Sequence, residues 1–267
     1  MKELLVRGLS GVLYISILIF SMHSSAMAFQ VLFLIIGLIC LFEFNQLIHL
    51  KTYILFPVFI GFFILFSYLQ FDLYATKLLL ILTGFVNLFL FKDLLWVSKI
   101  PMFGQKKYVV SILYLISGFI FIALIPFYRG EFSASIIVSV FILIWTNDTF
   151  AYLVGKNFGK RKLLERISPK KTVEGFFGGL IASCAASFII FNYLSDFDPL
   201  TWLGLACLTS FFGTIGDLVQ SKFKRQAGVK DSGSLMPGHG GLYDRLDSII
   251  YASPFIYAYL LVIDYVS

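Results

Sequence analysis

Nine predominantly apolar stretches follow one another through this chain of 267 residues, each about as long as a bilayer is thick. They fall at roughly 8–21, 28–48, 53–70, 75–91, 108–127, 132–153, 174–194, 200–220 and 246–264. A membrane-spanning helix needs about 20 such residues, so nine spans take about 180 positions. What is left forms eight loops and two short tails, which leaves no room for a soluble domain. Composition agrees: 59% of residues are apolar and 13% charged, against roughly 45–50% and 25% in an ordinary globular chain. Soluble, disordered and collagen-like classes are excluded. No internal repeat or low-complexity linker is visible. The expected fold is all-α: a polytopic integral membrane protein of about nine transmembrane helices.

The basic residues set the orientation, because Lys and Arg collect in cytoplasmic loops. With nine spans, the N-terminal tail and the loops after spans 2, 4, 6 and 8 share one side and hold 19 of the 21 basic residues. Only Lys77 and Arg129 fall on the other. This places the N-terminus in the cytoplasm and the C-terminus outside it. Lys2 and Arg7 before the first apolar run, with Ala26-Met27-Ala28 after it, also fit a signal sequence, whose cleavage would leave the other spans' sidedness unchanged. The loop from Lys92 to Lys107 mixes basic residues with Leu94, Leu95, Trp96 and Ile100, as a segment lying among headgroups does. Cys40, Cys184 and Cys207 lie far apart in apolar runs and read as buried small hydrophobes.

Carboxylates inside apolar spans are costly and mark functional sites. Asp148 interrupts span 6 within Trp145-Thr146-Asn147-Asp148-Thr149, and Asp217 ends Gly213-Thr214-Ile215-Gly216-Asp217 in span 8. Asp244 and Asp247 open span 9, and their i, i+3 spacing sets both on one helix face. All four lie near the basic, cytoplasmic boundary. Oxygen ligands at one depth, facing cationic loops, suit Mg²⁺ held by one or two carboxylates together with substrate phosphates. Glu43, near the end of span 2, reads either as a ligand or as an ion-pair partner. His23 and His49 have no assigned role.

Two loops carry the matching positive charge. After span 6 comes Gly155-Lys156-Asn157-Phe158-Gly159-Lys160-Arg161-Lys162, then Ser168-Pro169-Lys170-Lys171-Thr172-Val173-Glu174-Gly175. After span 8 comes Ser221-Lys222-Phe223-Lys224-Arg225, then Lys230-Asp231 and Pro237-Gly238-His239-Gly240-Gly241. Lys and Arg give charge-assisted bonds to phosphate. Gly240 and Gly241 precede a helix N-terminus, where backbone N–H groups favour an anion, so phosphate is expected there. His239 reads as a donor to phosphate or as an acid. The chain divides at about residue 130: an N-terminal part of about five spans (1–130) and a C-terminal catalytic region (131–267) with the two basic loops.

The run from Ser221 to Arg225, through Lys230-Asp231, to Pro237-Gly238-His239-Gly240-Gly241-Leu242-Tyr243-Asp244-Arg245-Leu246-Asp247 resembles, without a gap, the signature of the phosphatidate cytidylyltransferase (CDP-diacylglycerol synthase) family. Asn147-Asp148-Thr149-Phe150-Ala151-Tyr152 with Gly155, and the segment Ser168 to Gly175, are similar to that family too. Val173 departs from it, standing where an aromatic residue is common. The resemblance covers the C-terminal half; before residue 140 it rests on span count and general character.

The resemblance implies that CTP and phosphatidate give CDP-diacylglycerol and pyrophosphate at the cytoplasmic face of a cell membrane. It further implies Mg²⁺, often a second cation, and a homodimer, with no nucleic acid partner. Short loops suit a bacterial inner membrane. Asp217, Asp244 and Asp247 correspond to the family's metal-site acids, with Asp148 a further carboxylate of that cavity. Lys222, Lys224, Arg225 and Lys230 correspond to its phosphate-contacting residues, and the surrounding Ser221, His239, Gly240, Gly241, Arg245, Lys170, Lys171, Thr172 and Glu174 are expected at the substrates. Lys222 is expected to act with the three acids in catalysis. Two readings compete: a CTP-dependent lipid kinase or a cytidylyltransferase for another lipid phosphate, and an ion-coupled transporter using Asp148 and Asp217 in broken helices.

Overall fold

Helix follows helix wherever the sequence runs apolar, because a backbone in lipid must satisfy its own N–H and C=O groups. The computed structural model describes the backbone of residues 2–194 and 196–266, and side chains for 8–194 and 196–265. Among the described residues the helices are α1 (Lys2–Ser24), α2 (Ala26–Leu47), α3 (Leu55–Tyr68), α4 (Leu73–Trp96) and α5 (Lys106–Phe127). They continue with α6 (Ala134–Phe158), α7 (Val173–Tyr193), α8 (Pro199–Gln226) and α9 (Tyr243–Val266). Short polar residues start several of them. Ser25 accepts from Ala28 N at 3.1 Å, Asp72 from Ala75 N at 2.9 Å, and Asp198 from Leu200 N at 2.8 Å, each relieving a first-turn donor.

Each expected span is a helix, and among the described residues seven helices are long and apolar enough to cross a membrane. Gly8–Ser24 and Leu55–Tyr68 are shorter apolar helices. With nine α-helical and five π-helical residues, α3 rises about 21 Å, short of a hydrocarbon core of about 30 Å.

Helix α5 is the centre of the bundle, with Phe119, Ile120, Phe121 and Ile122 fully buried. A wider π-type turn over Ser111–Ile116 interrupts it, and Tyr114 within that turn meets the Tyr243 hydroxyl at 2.8 Å. Helices α6, α7, α8 and α9 pack in sequence order, and α9 closes onto α5. Phe85, Phe89, Ile181 and Phe188 point outward and exposed, as a surface solvated by lipid requires. In the loop after α6 a small antiparallel pair forms, β1 (Lys162–Leu164) with β2 (Ser168–Thr172), Lys162 opposite Thr172.

Direct contacts join several helix ends. At one end Ser10 of α1 donates to Pro237 O (3.2 Å), Gln226 exchanges hydrogen bonds with the backbone of Ile100 (2.9 and 3.1 Å), and Arg166 donates to Val97 O (2.9 Å). At the other, Arg129 meets Asp264 at 3.6 Å and Ser135 donates to Asp196 at 2.8 Å. The cysteines depart from expectation. Cys40 is buried, but Cys207 is exposed and its sulfur lies 4.0 Å from that of Cys184 across the α7–α8 contact.

Candidate active site

Behind α8 the chain reverses and lies back over the bundle before α9 begins. Pro237-Gly238 makes the reversal: His239 N donates to Met236 O at 2.9 Å, with Gly238 at φ 75°. A positive φ at the third turn position is what glycine supplies without strain. Gly240, at φ 86°, also has no room for a side chain, since a Cβ there would sit 2.8 Å from Asp244 Oδ2.

This fold brings two carboxylates to the start of α9. Leu242 N donates to Glu43 Oε1 (3.0 Å), Tyr243 N to Glu43 Oε2 (2.9 Å) and Gly241 N to Asp244 Oδ2 (3.0 Å). A helix N-terminus attracts an anion, and here the protein's own acids fill it. The sequence sets phosphate on Gly240 and Gly241 at that N-terminus; in this structure the N–H groups of Gly241, Leu242 and Tyr243 go to Asp244 and Glu43 instead.

Asp244 itself is enclosed, its side chain 3% exposed. Oδ1 accepts from Lys224 Nζ (2.7 Å) and Gln220 Nε2 (2.9 Å); Oδ2 accepts from Ser232 N (2.7 Å) and lies 3.0 Å from Ser232 Oγ. A carboxylate offers about four acceptor sites, so the surrounding donors saturate this one. In this arrangement Asp244 ties loop, α8 and α9 together.

The other three acids form a second group, in which Asp247 is buried and Asp217 half-buried. Gly216 lets α8 approach α9 so closely that a Cβ there would lie 2.6 Å from Asp247 O. The next residue, Asp217, accepts from Lys171 Nζ at 2.5 Å and from Ser221 Oγ at 3.1 Å. Asp148 is exposed, with Asn147 Nδ2 on its Oδ1 at 3.2 Å. Asp247 takes the N–H of Ser248 at 2.8 Å. Asp148, Asp217 and Asp247 lie within electrostatic reach of one another and of Lys171. Burial works against the Lys171 ammonium, but the adjoining Asp217 carboxylate outweighs it and holds its pKa above the ordinary lysine value. Among the described residues no three acidic, imidazole or thiol groups stand together so as to hold a metal ion. Carboxylate oxygens are the ligand type Mg²⁺ takes, one or two of them with phosphate and water completing the shell.

The basic and polar residues divide likewise. Lys224 pairs with Asp244, while Lys170, Arg225, Lys230 and Arg245 are exposed. Arg245 also donates to His239 O at 2.8 Å. The His239 ring meets Ser10 Oγ at 2.8 Å. Lys222 departs from its expected catalytic place: it is buried, and its ammonium donates to Asp93 O (2.5 Å), Leu94 O (3.3 Å) and Val97 O (2.6 Å), the carbonyls at the end of α4. Thr172 and Glu174 also have structural tasks. Thr172 Oγ1 caps α7 through Gly175 N (3.1 Å), and Glu174 accepts from the backbone of Lys160 (2.9 Å) and Arg161 (3.1 Å).

Gln220, Ser232, Ser10 and Tyr114 were not legible as members of this cluster. Gln220 had a weak signal: it lies four residues before Lys224 on one face of α8. Ser232 had none, since only the folded loop brings it to Asp244.

Comparison with known proteins matches this sequence to a family. The Cytidylyltransferase family model matches residues 5–263. The chain is 33% identical over 279 residues to a phosphatidate cytidylyltransferase of Bacillus subtilis (strain 168), covering 96% of this chain and 97% of that protein. A phosphatidate cytidylyltransferase of Staphylococcus aureus (strain COL) is 45% identical over 152 residues, 55% of this chain and 56% of the relative. One from Staphylococcus saprophyticus is 48% identical over 122 residues, 45% of this chain and 46% of the relative. The matched stretch thus spans about half the length of these staphylococcal relatives. With the match running almost end to end, this chain belongs to the cytidylyltransferase family.

Proposed function

We propose that the chain transfers the cytidylyl group of CTP to phosphatidate, giving CDP-diacylglycerol and pyrophosphate for phospholipid synthesis at the cytoplasmic face of a bacterial cell membrane. The observation that carries this reading is the grouping of Asp148, Asp217 and Asp247 with Lys171, at the end of the bundle where the basic loops gather. The family match and the relatives' activity support it.

The chemistry asks little of a base. A phosphomonoester is largely dianionic at neutral pH, its second pKa being about 6. One of its oxygens bonds to the α-phosphorus of CTP, and the bond from that phosphorus to the bridging oxygen breaks. The electron pair leaves with pyrophosphate. The work lies in bringing two polyanions together and stabilising charge on the leaving group. One or two of Asp148, Asp217 and Asp247 would hold Mg²⁺ together with the substrate phosphates, and the ion would supply charge neutralisation at the phosphate oxygens. Lys171, kept charged beside Asp217, stands where a phosphate oxygen would enter. The exposed Lys170, Arg225, Lys230 and Arg245 draw the nucleotide from the cytoplasm. A groove of about 720 Å³ between α6 and α7, lined by Phe150, Val154, Phe158 and Phe177 and reaching Glu174, suits an acyl chain. A homodimer belongs to the same proposal, on the strength of the family resemblance.

The test is pyrophosphate release by purified protein in detergent with CTP and Mg²⁺. Release that requires phosphatidate supports the reading. No release, together with cation flux in proteoliposomes, would favour a transporter.

A further inference from the structure

We propose that Glu43 is a positioning residue for the transfer reaction: from α2 it fixes the start of α9, and through it the placement of Asp244 and Asp247. Glu43 is 4% exposed, and a carboxylate is buried only where hydrogen bonds replace its water. Its donors are Leu242 N, Tyr243 N and Ser232 Oγ, the last at 2.7 Å. The first two are unpaired donors of a helix N-terminus, so the buried charge and the helix end satisfy each other. Gly241 packs directly on the carboxylate, and a Cβ at Gly233 would stand 2.5 Å from Oε1. This enclosure makes Glu43 an anchor, with no open side for a metal ion.

The anchor reaches the acids by two routes. Asp244 and Asp247 lie in the first turns of the helix whose start Glu43 holds. Ser232 also bridges directly, its hydroxyl 2.7 Å from Glu43 Oε2 and 3.0 Å from Asp244 Oδ2. A hydroxyl has one proton, so Ser232 donates to one carboxylate at a time, the shorter contact being to Glu43, and its position ties the two acids together. A catalytic group misplaced by about 1 Å costs on the order of 100-fold in rate.

The test compares wild type, Glu43→Gln and Glu43→Ala in detergent by steady-state kinetics and by amide hydrogen exchange across 232–247. The kinetic arm rests on the cytidylyl-transfer reading; the exchange arm does not, and wild-type turnover in the same assay separates the two failures. The expected result is a fall in kcat for CTP of about 100-fold in Glu43→Ala, with KM changed less than about threefold. Glu43→Gln, which keeps one acceptor oxygen, falls between it and wild type. Exchange rises across 232–247 in both variants and stays at wild-type level in α7. If Glu43→Ala does not fold, the glutamine variant carries both readouts. Wild-type exchange across 232–247 in Glu43→Gln, or kcat within about threefold of wild type, would overturn the proposal, as would a rise in exchange spread evenly over the chain.

Discussion

Lys222 and Lys224 have the same charge, stand two positions apart, and do unrelated things. Two residues along a helix turn through about 200°. Lys224 therefore faces Asp244, while Lys222 caps the end of α4. Composition and spacing marked the region as basic but could not say which cation meets substrate, because that depends on which helix packs against which face of α8. Lys222→Met is expected to strand backbone carbonyls and to lower stability by about 1–3 kcal/mol. Turnover per folded molecule should stay within about twofold of wild type; thermal unfolding and kcat measured together check this. Asp244→Asn exchanges an acceptor oxygen for a donor facing Lys224 or Ser232, and a loss of turnover of about 100-fold or more is expected, with membrane insertion intact. Near-normal activity in that variant at saturating Mg²⁺ would contradict the account of the site. Lys224→Ala should raise KM for CTP or lipid more than Lys107→Ala does, since Lys107 only donates to His49 O. Equal KM values would reduce the loop to general surface charge.

Hydropathy located the helices but not their polar ends. The apolar run of span 6 stops near residue 153, whereas α6 continues to Phe158; that of span 8 stops near 220, whereas α8 continues to Gln226. Those extra turns carry Ser221, Lys222 and Lys224, and they are helical because α4, α9 and the returning loop satisfy them. The β1–β2 pair escaped detection for a related reason: Ser168-Pro169-Lys170-Lys171-Thr172 has no alternation of apolar and polar residues, and its pairing is local to the loop. Capping, in contrast, is visible in sequence. Asp198 precedes Pro199 at the start of α8, and the Thr201 hydroxyl bonded to it at 2.6 Å holds its pKa below the usual Asp value. A depressed carboxylate pKa stabilises the fold above the ordinary Asp range, and that stability is lost as pH falls through the folded value. Asp198→Ala should therefore cost about 1 kcal/mol at neutral pH and less in acid below both values, where a protonated carboxyl caps without its charge; unfolding midpoints at the two pH values test it.

At the scale of the whole molecule, the proposed reaction poses one problem of solubility: a water-soluble nucleotide and a bilayer lipid must meet. Some of the helix ends that the sequence groups on the basic side are in contact, Ser10 with Pro237, Ile100 with Gln226 and Arg166 with Val97. The role of the N-terminal half was less legible. Ser10, Glu43 and Tyr114 reach the start of α9 only through long-range packing, which no local pattern records. The central claim is cytidylyl transfer to phosphatidate, and the position of the label in CTP tests it most directly. Purified protein with phosphatidate and Mg²⁺ receives CTP labelled either in cytosine or at the γ-phosphate. The account predicts that cytosine label enters the lipid phase with equimolar pyrophosphate release, while γ-label stays in the water-soluble pyrophosphate. Entry of γ-label into lipid, without cytosine, would contradict it and make the protein a lipid kinase.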